Sequence, residues 1–301
     1  MTGEDEPLVS VLMASHNASR WVAESIDSVL AQTYPRVELV VADDASADGT
    51  RDVVAAYAAR HPGRVRLLPA SARAGPARRR NDALAAARGP LLARLDHDDV
   101  WLPEKLAKQV AVLRERPDVG LVYTGYEAFD SDTGAVVPWR DEALEAEGDV
   151  LADLFVKGCF IASLTVLFRR EGLERRGVAF READFSFGDD YFLWLVLALD
   201  WKVARVNEVL ARYRRHADNE STRLARSNYH LARIRVLRDF LAAFPEARTR
   251  LRDAVGAGLA GHYLDAAAFE FERGRSLRGR ALVLRALAAA PRRTLAAIRQ
   301  G

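Results

Sequence analysis

The chain has 301 residues, half of them hydrophobic, and a formal net charge of +2. That length buries one sizeable core, or a core with a smaller lobe, and the near-neutral balance argues against a general nucleic-acid binder. Cys159 is the only cysteine, so no disulfide framework forms within the chain, which fits a reducing cytoplasm. The polar, acidic start up to Pro7 does not read as a signal peptide, and no run approaches the roughly 18 apolar residues of a membrane span.

Leu8-Val9-Ser10-Val11-Leu12-Met13 predicts a first strand, ending in polar Ser15-His16-Asn17. Val22, Ile26, Val29 and Leu30 then recur at helical spacing, and Pro35 stops that helix. Val37 to Ala42 predicts a second strand, running into the polar turn Asp43-Asp44-Ala45-Ser46-Ala47-Asp48-Gly49-Thr50 and another helix. Val65 to Leu68 reads as a third strand, and a helix over Asn81 to Arg88 is closed by Gly89 and Pro90. Leu91 to Leu95 is the fourth strand, with Asp96-His97-Asp98-Asp99 at its end.

Apolar strands alternating with amphipathic helices predict an α/β fold with a parallel sheet covered on both faces. Ligands of such a sheet bind beyond the carboxyl ends of its strands. His16 and Asn17, Asp43 and Asp44, and Asp96 to Asp99 all sit at strand ends, so three polar segments are expected to meet at one edge.

Further along, Val119 to Tyr123 predicts a strand, and Ser131 to Gly148 a polar loop. Phe160 to Phe168 is an apolar, β-rich run, Tyr191 to Leu199 a helix, and Val203 to Val206 a strand. Beyond about Arg223 the pattern is helical throughout.

Asp96-His97-Asp98-Asp99 crowds three carboxylates that repel one another. Taken alone, the cluster reads equally as a site for a hard divalent cation or as a charged turn capping the helix near Pro103. Its position at the ligand edge favours the cation, and such a cation commonly also holds a diphosphate.

Val9 to Asn17, Ser28 to Tyr34, Asp43 to Thr50, Asp96-His97-Asp98, Gly188 to Trp194 and Arg212 to His216, taken in order, resemble the family 2 glycosyltransferases of GT-A fold. Val9-Ser10-Val11-Leu12-Met13-Ala14-Ser15-His16-Asn17 is similar to that family's first strand, and Ser28-Val29-Leu30-Ala31-Gln32-Thr33-Tyr34 to its helix-ending signature. Asp43 to Thr50 resembles its D-D-x-S-x-D-G-T motif. Gly75, Ala77, Arg80, Asn81 and Gly89 fall at the expected spacing before Asp96-His97-Asp98, which resembles the D-x-D motif. Gly188-Asp189-Asp190-Tyr191-Phe192-Leu193-Trp194 resembles G-E-D-x-x-L-W, and Arg212-Tyr213-Arg214-Arg215-His216 with Ser221 resembles Y-R-x-H…S. The resemblance spans roughly residues 8 to 222.

The resemblance implies a mostly parallel GT-A sheet flanked by helices, with a Rossmann-like nucleotide-binding half. A catalytic domain over 1–222 is expected, with a nucleotide-sugar half at about 8–118 and an acceptor half at about 119–222. A helical C-terminal extension would occupy 223–301. Ala14, His16, Asn17, Asp44, Arg80, Asp96, Arg214 and Ser221 would hold the nucleotide sugar, with Asp44 on the base, the usual partner being uracil. Asp96 would lie near the ribose and Arg80 near the phosphates. Asp98 and His216 would hold Mn²⁺ or Mg²⁺. Asp190 would be the general base; Asp189, which stands where the family usually has Glu, is the alternative. The implied partners are a nucleotide-sugar donor and a glycan, lipid-linked or small-molecule acceptor, with no nucleic acid.

The chemistry agrees with those roles. Inverting transfer needs a carboxylate opposite the leaving group, to take the acceptor hydroxyl's proton. The leaving diphosphate is stabilised by a cation with a basic partner, so no acid is needed there. From the residues alone, Asp189 and Asp190 read more readily as charges at a helix N-terminus than as a base. Two rival functions stand beside this one. A sugar nucleotidyltransferase would need a glycine-rich basic loop where Ala14-Ser15-His16-Asn17 stands. A non-catalytic nucleotide-binding module would not need Asp44, Asp98, Asp190 and His216 together.

Other features read as structural. Gly256-Ala257-Gly258-Leu259-Ala260-Gly261 fits G-x-G-x-x-G but follows no strand, so close helix packing is expected. Cys159 reads as a small buried residue, His97 as a bystander, and Arg78 and Arg79 as solvated. Trp194 and Tyr213 read as core or acceptor pocket. The tail from Arg275 to Gly301 carries seven arginines and no acid, with Leu277, Leu284, Leu287, Leu295 and Ile298 among them. It is expected either to meet the anionic inner face of the membrane or to dock on the catalytic domain with its arginines in water.

Overall fold

Each of β1 (Val9–Ser15) and β2 (Val37–Asp43) has seven consecutive buried residues, the mark of strands covered on both faces. In the computed structural model, which describes residues 6–138, 146–182, 188–217, 219 and 229–300, they pair in parallel. β3 (Val65–Pro69) and β4 (Leu91–Arg94) flank them in the parallel order β3-β2-β1-β4. Helices α1 (Val22–Leu30), α2 (Thr50–Arg60) and α3 (Pro76–Ala86) make the crossovers.

Beyond β4 the sheet becomes mixed. β8 (Leu167–Arg169) runs antiparallel to both β4 and β6 (Val119–Asp130). β9 (Lys202–Arg215) lies parallel to β6, and the short β5 (Val100–Trp101) antiparallel to β9. β7 (Val136–Pro138) pairs with β6, completing nine strands. Helix α4 (Lys105–Glu115) covers β6, the short α6 (Arg170–Glu174) follows β8, and α7 (Asp189–Asp200) lies on the side of the sheet opposite α4. Every residue from Tyr191 to Leu199 is buried, so α7 has no solvated face in its middle.

Several elements differ from the expected bounds. α3 begins at Pro76 rather than Asn81. Pro76 suits the first helical position because no intrahelical partner for its N–H is needed there, and Gly75 precedes it with φ 91°. β6 and β9 run on as a parallel ladder to the pair Asp130–Arg215, well past the apolar stretches Val119–Tyr123 and Val203–Val206. Their outer halves are held by ladder bonds and by pairs such as Arg212–Glu127 at 2.6 Å, not by uninterrupted apolar runs. The expected loop over 131–148 contains β7; residues 139–145 lie outside the described residues. The run Phe160–Phe168 is a 3₁₀ turn at Ser163–Thr165 followed by β8, not one strand.

Two apolar layers sandwich the sheet. Leu12, Leu92, Phe168, Tyr191 and Trp194 belong to one, and Val11, Met13, Ile26, Val41 and Leu106 to the other. Trp194 sits in the first layer, edge-on to Phe168, and is wholly buried.

All described elements after β9 are helices: α8 (Tyr229–Ala243), α9 (Ala247–Arg250), α10 (Arg252–Glu272), α11 (Ser276–Ala289) and α12 (Pro291–Gln300). α10 packs against α8, α11 and α5 (Leu151–Lys157). Gly256 and Gly258 lie inside α10, where a Cβ on Gly258 would stand 2.7 Å from the Phe155 ring and carbonyl. Close packing therefore accounts for Gly258 and for Gly256, whose Cβ would stand 2.7 Å from the Ala289 carbonyl oxygen, but not for Gly261, where a Cβ would meet nothing within 4 Å. No helix among the described residues is long and apolar enough to cross a membrane.

Candidate active site

The ends of β1, β2 and β4 are tied to one another. His16 Nδ1 donates to the Asp44 carbonyl at 2.8 Å. That tautomer leaves Nε2 to accept from Asn17 Nδ2 at 3.3 Å. Asn17 Oδ1 accepts from Ala47 N at 2.9 Å, clamping the β2 turn. His97 Nδ1 donates to the Ala14 carbonyl at 3.1 Å, so His97 is a bolt between β4 and β1 rather than a bystander. Both turns carry left-handed residues that are not glycine, Asn17 (φ 48°) and Ala45 (φ 57°). Such conformations cost of order 1–3 kcal/mol and persist only where the surroundings impose them.

The Asp43–Thr50 turn divides its acids by task. Asp43 is buried and accepts from Ser46 N (3.0 Å) and Arg51 Nε (2.7 Å), which shapes the turn. Asp48 accepts from Thr50 N at 3.0 Å and Ser19 N at 2.9 Å. Burial opposes ionisation of Asp48, but these bonds, Thr50 first, hold its carboxyl well below the usual range. Asp44 accepts from Ala74 N (2.7 Å) and Gly75 N (2.9 Å), drawing the start of α3 to the strand ends. Arg79 Nε stands 3.3 Å from Asp44. Arg78 is exposed as expected, whereas Arg79 turns inward, because adjacent helical residues point about 100° apart.

The acidic segment meets the end of β9. Arg214 donates from its backbone N to Asp99 Oδ1 at 3.0 Å and from Nε to the Asp98 carbonyl at 2.7 Å. Its guanidinium pairs with Glu24 and stacks between Trp21 and Phe129. Arg214 is thus committed to joining the acidic turn to β9. Burial, then the charges of Asp98 and Asp96, push the Asp99 carboxyl well up. His216 Nε2 donates to Asp98 Oδ2 at 3.0 Å, and its ring stacks on Trp21. Asn219 Oδ1 accepts from His216 N at 2.5 Å and orders the turn. Ser221 lies outside the described residues.

Two buried arginines connect this edge to α7. Arg80 contacts Asp189 at 2.6 Å and Asp96 at 3.1 Å. Arg94 contacts Asp96 at 3.4 Å and Asp190 at 3.5 Å, and donates to Ser163 Oγ at 2.8 Å. Burial alone would raise the Asp96 pKa, but Arg94 and then Arg80 hold it well below the carboxylate range. The Asp189 side chain is 3% exposed and that of Asp190 23% exposed. The Asp190 carboxylate also accepts from Ser163 Oγ. Cys159 is half-buried nearby; burial, then the Asp190 charge, pushes its thiol up.

Sequence reading missed Arg94, Ser163, Arg79 and Asn219. Arg94 alone carried a signal: a charged residue inside an otherwise apolar strand, two positions before the acidic segment.

A divalent cation fits the donors present. Asp98 and His216 bring a carboxylate oxygen and an imidazole nitrogen together in two side chains that are mostly buried yet solvent-accessible. Two protein ligands suffice for a cation that also takes diphosphate oxygens, and the imidazole suits Mn²⁺ better than Mg²⁺.

Residues 10–177 match the family model for glycosyl transferase family 2. The chain is 34% identical over 209 residues to the Escherichia coli UDP-Glc:alpha-D-GlcNAc-diphosphoundecaprenol beta-1,3-glucosyltransferase WfgD, covering 67% of this chain and 74% of that one. It is 32% identical over 210 residues to the putative teichuronic acid biosynthesis glycosyltransferase TuaG of Bacillus subtilis, covering 69% and 79%. The fold is similar to S. aureus TarS 1-349 in complex with UDP, with TM-score 0.60, 18% identity, and 98% of this chain and 92% of that one covered. It is also similar to the mannosyltransferase PcManGT from Pyrobaculum calidifontis, solved with GDP-Man and Mn²⁺, with TM-score 0.59, 25% identity and coverage of 99% and 80%.

The fold is that of a GT-A glycosyltransferase. The chain belongs to glycosyl transferase family 2 and is a glycosyltransferase enzyme.

Proposed function

We propose that this enzyme transfers a sugar from a uridine diphosphate sugar to an acceptor hydroxyl with inversion, using Asp190 as base. The observation that carries the base assignment is the contrast within one helical turn. Asp189 is sealed against Arg80, while Asp190 keeps a solvent-facing carboxylate at the same edge. Asp190 takes the hydroxyl proton as the acceptor oxygen bonds to the anomeric carbon, and the nucleoside diphosphate leaves with the electron pair. Asp98 and His216 would hold Mn²⁺ or Mg²⁺, which when bound neutralises charge on the departing diphosphate. Asp44, His16 and Asn17 would line the nucleoside pocket; the bonds Asp44 already accepts leave lone pairs for a base. Arg80 and Arg214, both committed to carboxylates, would act by shaping the nucleotide site, with Asp96 at the ribose and Ala14 lining the pocket.

Uridine is supported by the UDP donor named for WfgD and the UDP bound to TarS. WfgD also names a diphosphoundecaprenol-linked acceptor, which supports a lipid-linked acceptor here and a place in bacterial polysaccharide synthesis. The catalytic domain would end near residue 222. The helices beyond it would rest on the inner face of the membrane, because Leu277, Leu284, Leu295 and Ile298 are exposed among arginines. Replacing those four residues with Ser should release the protein from anionic vesicles in a sedimentation assay; unchanged binding contradicts the membrane reading.

The transfer itself is tested by thermal shift with nucleotide sugars and Mn²⁺, followed by product analysis. A UDP-sugar should raise Tm, since a bound ligand stabilises the fold by mass action, and UDP should be the released product. Pyrophosphate release would instead indicate a nucleotidyltransferase, and no binding of any nucleoside diphosphate a non-catalytic module.

A further inference from the structure

We propose a second cation site, remote from the D-x-D motif, in which His230, His262 and Asp265 join helices α8 and α10 around a transition metal of the Zn²⁺ class. One ligand atom from each of the three residues lies within 4.8 Å of the others. Asp265 Oδ2 stands 3.7 Å from His230 Nδ1 and 4.0 Å from His262 Nδ1. These spacings are too long for hydrogen bonds, yet close to the separation of about 3.4 Å between donors of a tetrahedral Zn²⁺. Asp265 lies one turn beyond His262 and is half exposed, so its carboxylate is free to move toward both rings.

An unmet need in the protein interior points to a ligand. His262 is 2% exposed, and neither its Nδ1 nor that of His230 has a hydrogen-bond partner among the described residues. A buried polar nitrogen without a partner costs about 1–3 kcal/mol, and a metal bond removes that cost. Burial, reinforced by the Arg233 charge, also keeps both rings neutral at pH 7, so each retains a lone pair for a cation.

Arg233 is the counterargument within the fold, and it shapes the site. A Cβ on Gly158 would stand 3.2 Å from Arg233 Nη1 and 3.4 Å from His262 Cε1, so the guanidinium is close to the cluster. It weakens cation binding, and it favours an anion, such as hydroxide, in the fourth coordination position left open by three protein ligands. An ion here would staple α8 to α10, the helix that packs on α5 at Phe155.

The site stands on its own residues and does not depend on the proposed reaction. The test uses the full chain carrying Asp98→Asn and His216→Ala, which removes the other cation site, stripped with EDTA and dialysed. Titration with Zn²⁺ in a calorimeter should give one bound ion, and Zn²⁺ should raise Tm. Adding His230→Ala or His262→Ala should abolish both effects. Adding Asp265→Asn, at a half-exposed position that leaves the fold intact, should weaken Zn²⁺ binding by more than about tenfold. Absence of Zn²⁺ binding in the Asp98/His216 background, or isotherms unchanged by His230→Ala and Asp265→Asn, would overturn the site.

Discussion

Arg80 Nη1 lies 2.6 Å from Asp189 Oδ2, and both side chains are almost wholly buried. Arg80 comes from α3 and Asp189 from the first turn of α7. The pair therefore anchors the helix start that presents Asp190. Breaking a buried pair strands one charge, which costs about 3–5 kcal/mol. Arg80→Met should lower the urea midpoint accordingly, and adding Asp189→Asn should recover part of the loss. A midpoint unchanged by Arg80→Met would show that the pair does not hold α7.

Acid should destabilise the protein through His230 and His262. Burial, then the Arg233 charge, lowers both to about 4, against about 6.5 in an unfolded chain. Between those values the unfolded chain binds protons that the folded chain refuses, so stability falls as pH drops. The contribution is fully present above about pH 6.5 and is lost toward pH 4. For buried His262 the slope is about 1 kcal/mol per pH unit, and His230 adds in the same direction. In EDTA, Tm should fall from pH 7 to pH 5, and less steeply in a His230→Gln/His262→Gln variant. Parallel curves for the two proteins would rule out this origin.

Close approach of α10 to α5 should make Gly258 intolerant of any side chain. Gly258→Ala puts a methyl 2.7 Å from the Phe155 ring edge and from its carbonyl oxygen. Overpacking of this kind costs about 1–3 kcal/mol, although alanine is the better helix former. The expected outcome is a lower denaturation midpoint, whereas a raised midpoint would mean that the helices do not pack so closely.

Much of the fold was legible because two-sided burial writes itself as unbroken apolar runs. β1, β2 and β4 read directly for that reason, and their polar ends meet at one edge, as expected. The outer halves of β6 and β9 did not read. Residues such as Glu127 and Arg212 satisfy each other across the ladder and carry no apolar pattern. The 3₁₀ turn at Ser163–Thr165 hid inside an apolar run, since periodicity does not separate a turn from a strand over a few buried residues.

The site was less legible than its motifs. The meeting of His16, Asp44 and the acidic segment followed from their places at strand ends, whereas the His97–Ala14 bond did not. The Arg80 and Arg94 bridges did not, because each joins residues far apart in sequence. The motif puts Arg80 near the phosphates; the engagement of both its terminal nitrogens by Asp189 and Asp96 is visible only in the fold. Only folding reveals that Arg79, not Arg78, turns toward Asp44.

The role of Asp190 as base is read from acceptor-dependent UDP release by Asp190→Asn, measured alongside UDP binding. The substitution preserves shape and removes the proton acceptor. It should cut turnover by about 10²–10⁴, the usual worth of a positioned base, while leaving UDP affinity and Tm near those of the unaltered protein. Unchanged turnover in Asp190→Asn would contradict the account and pass the role of base to another residue.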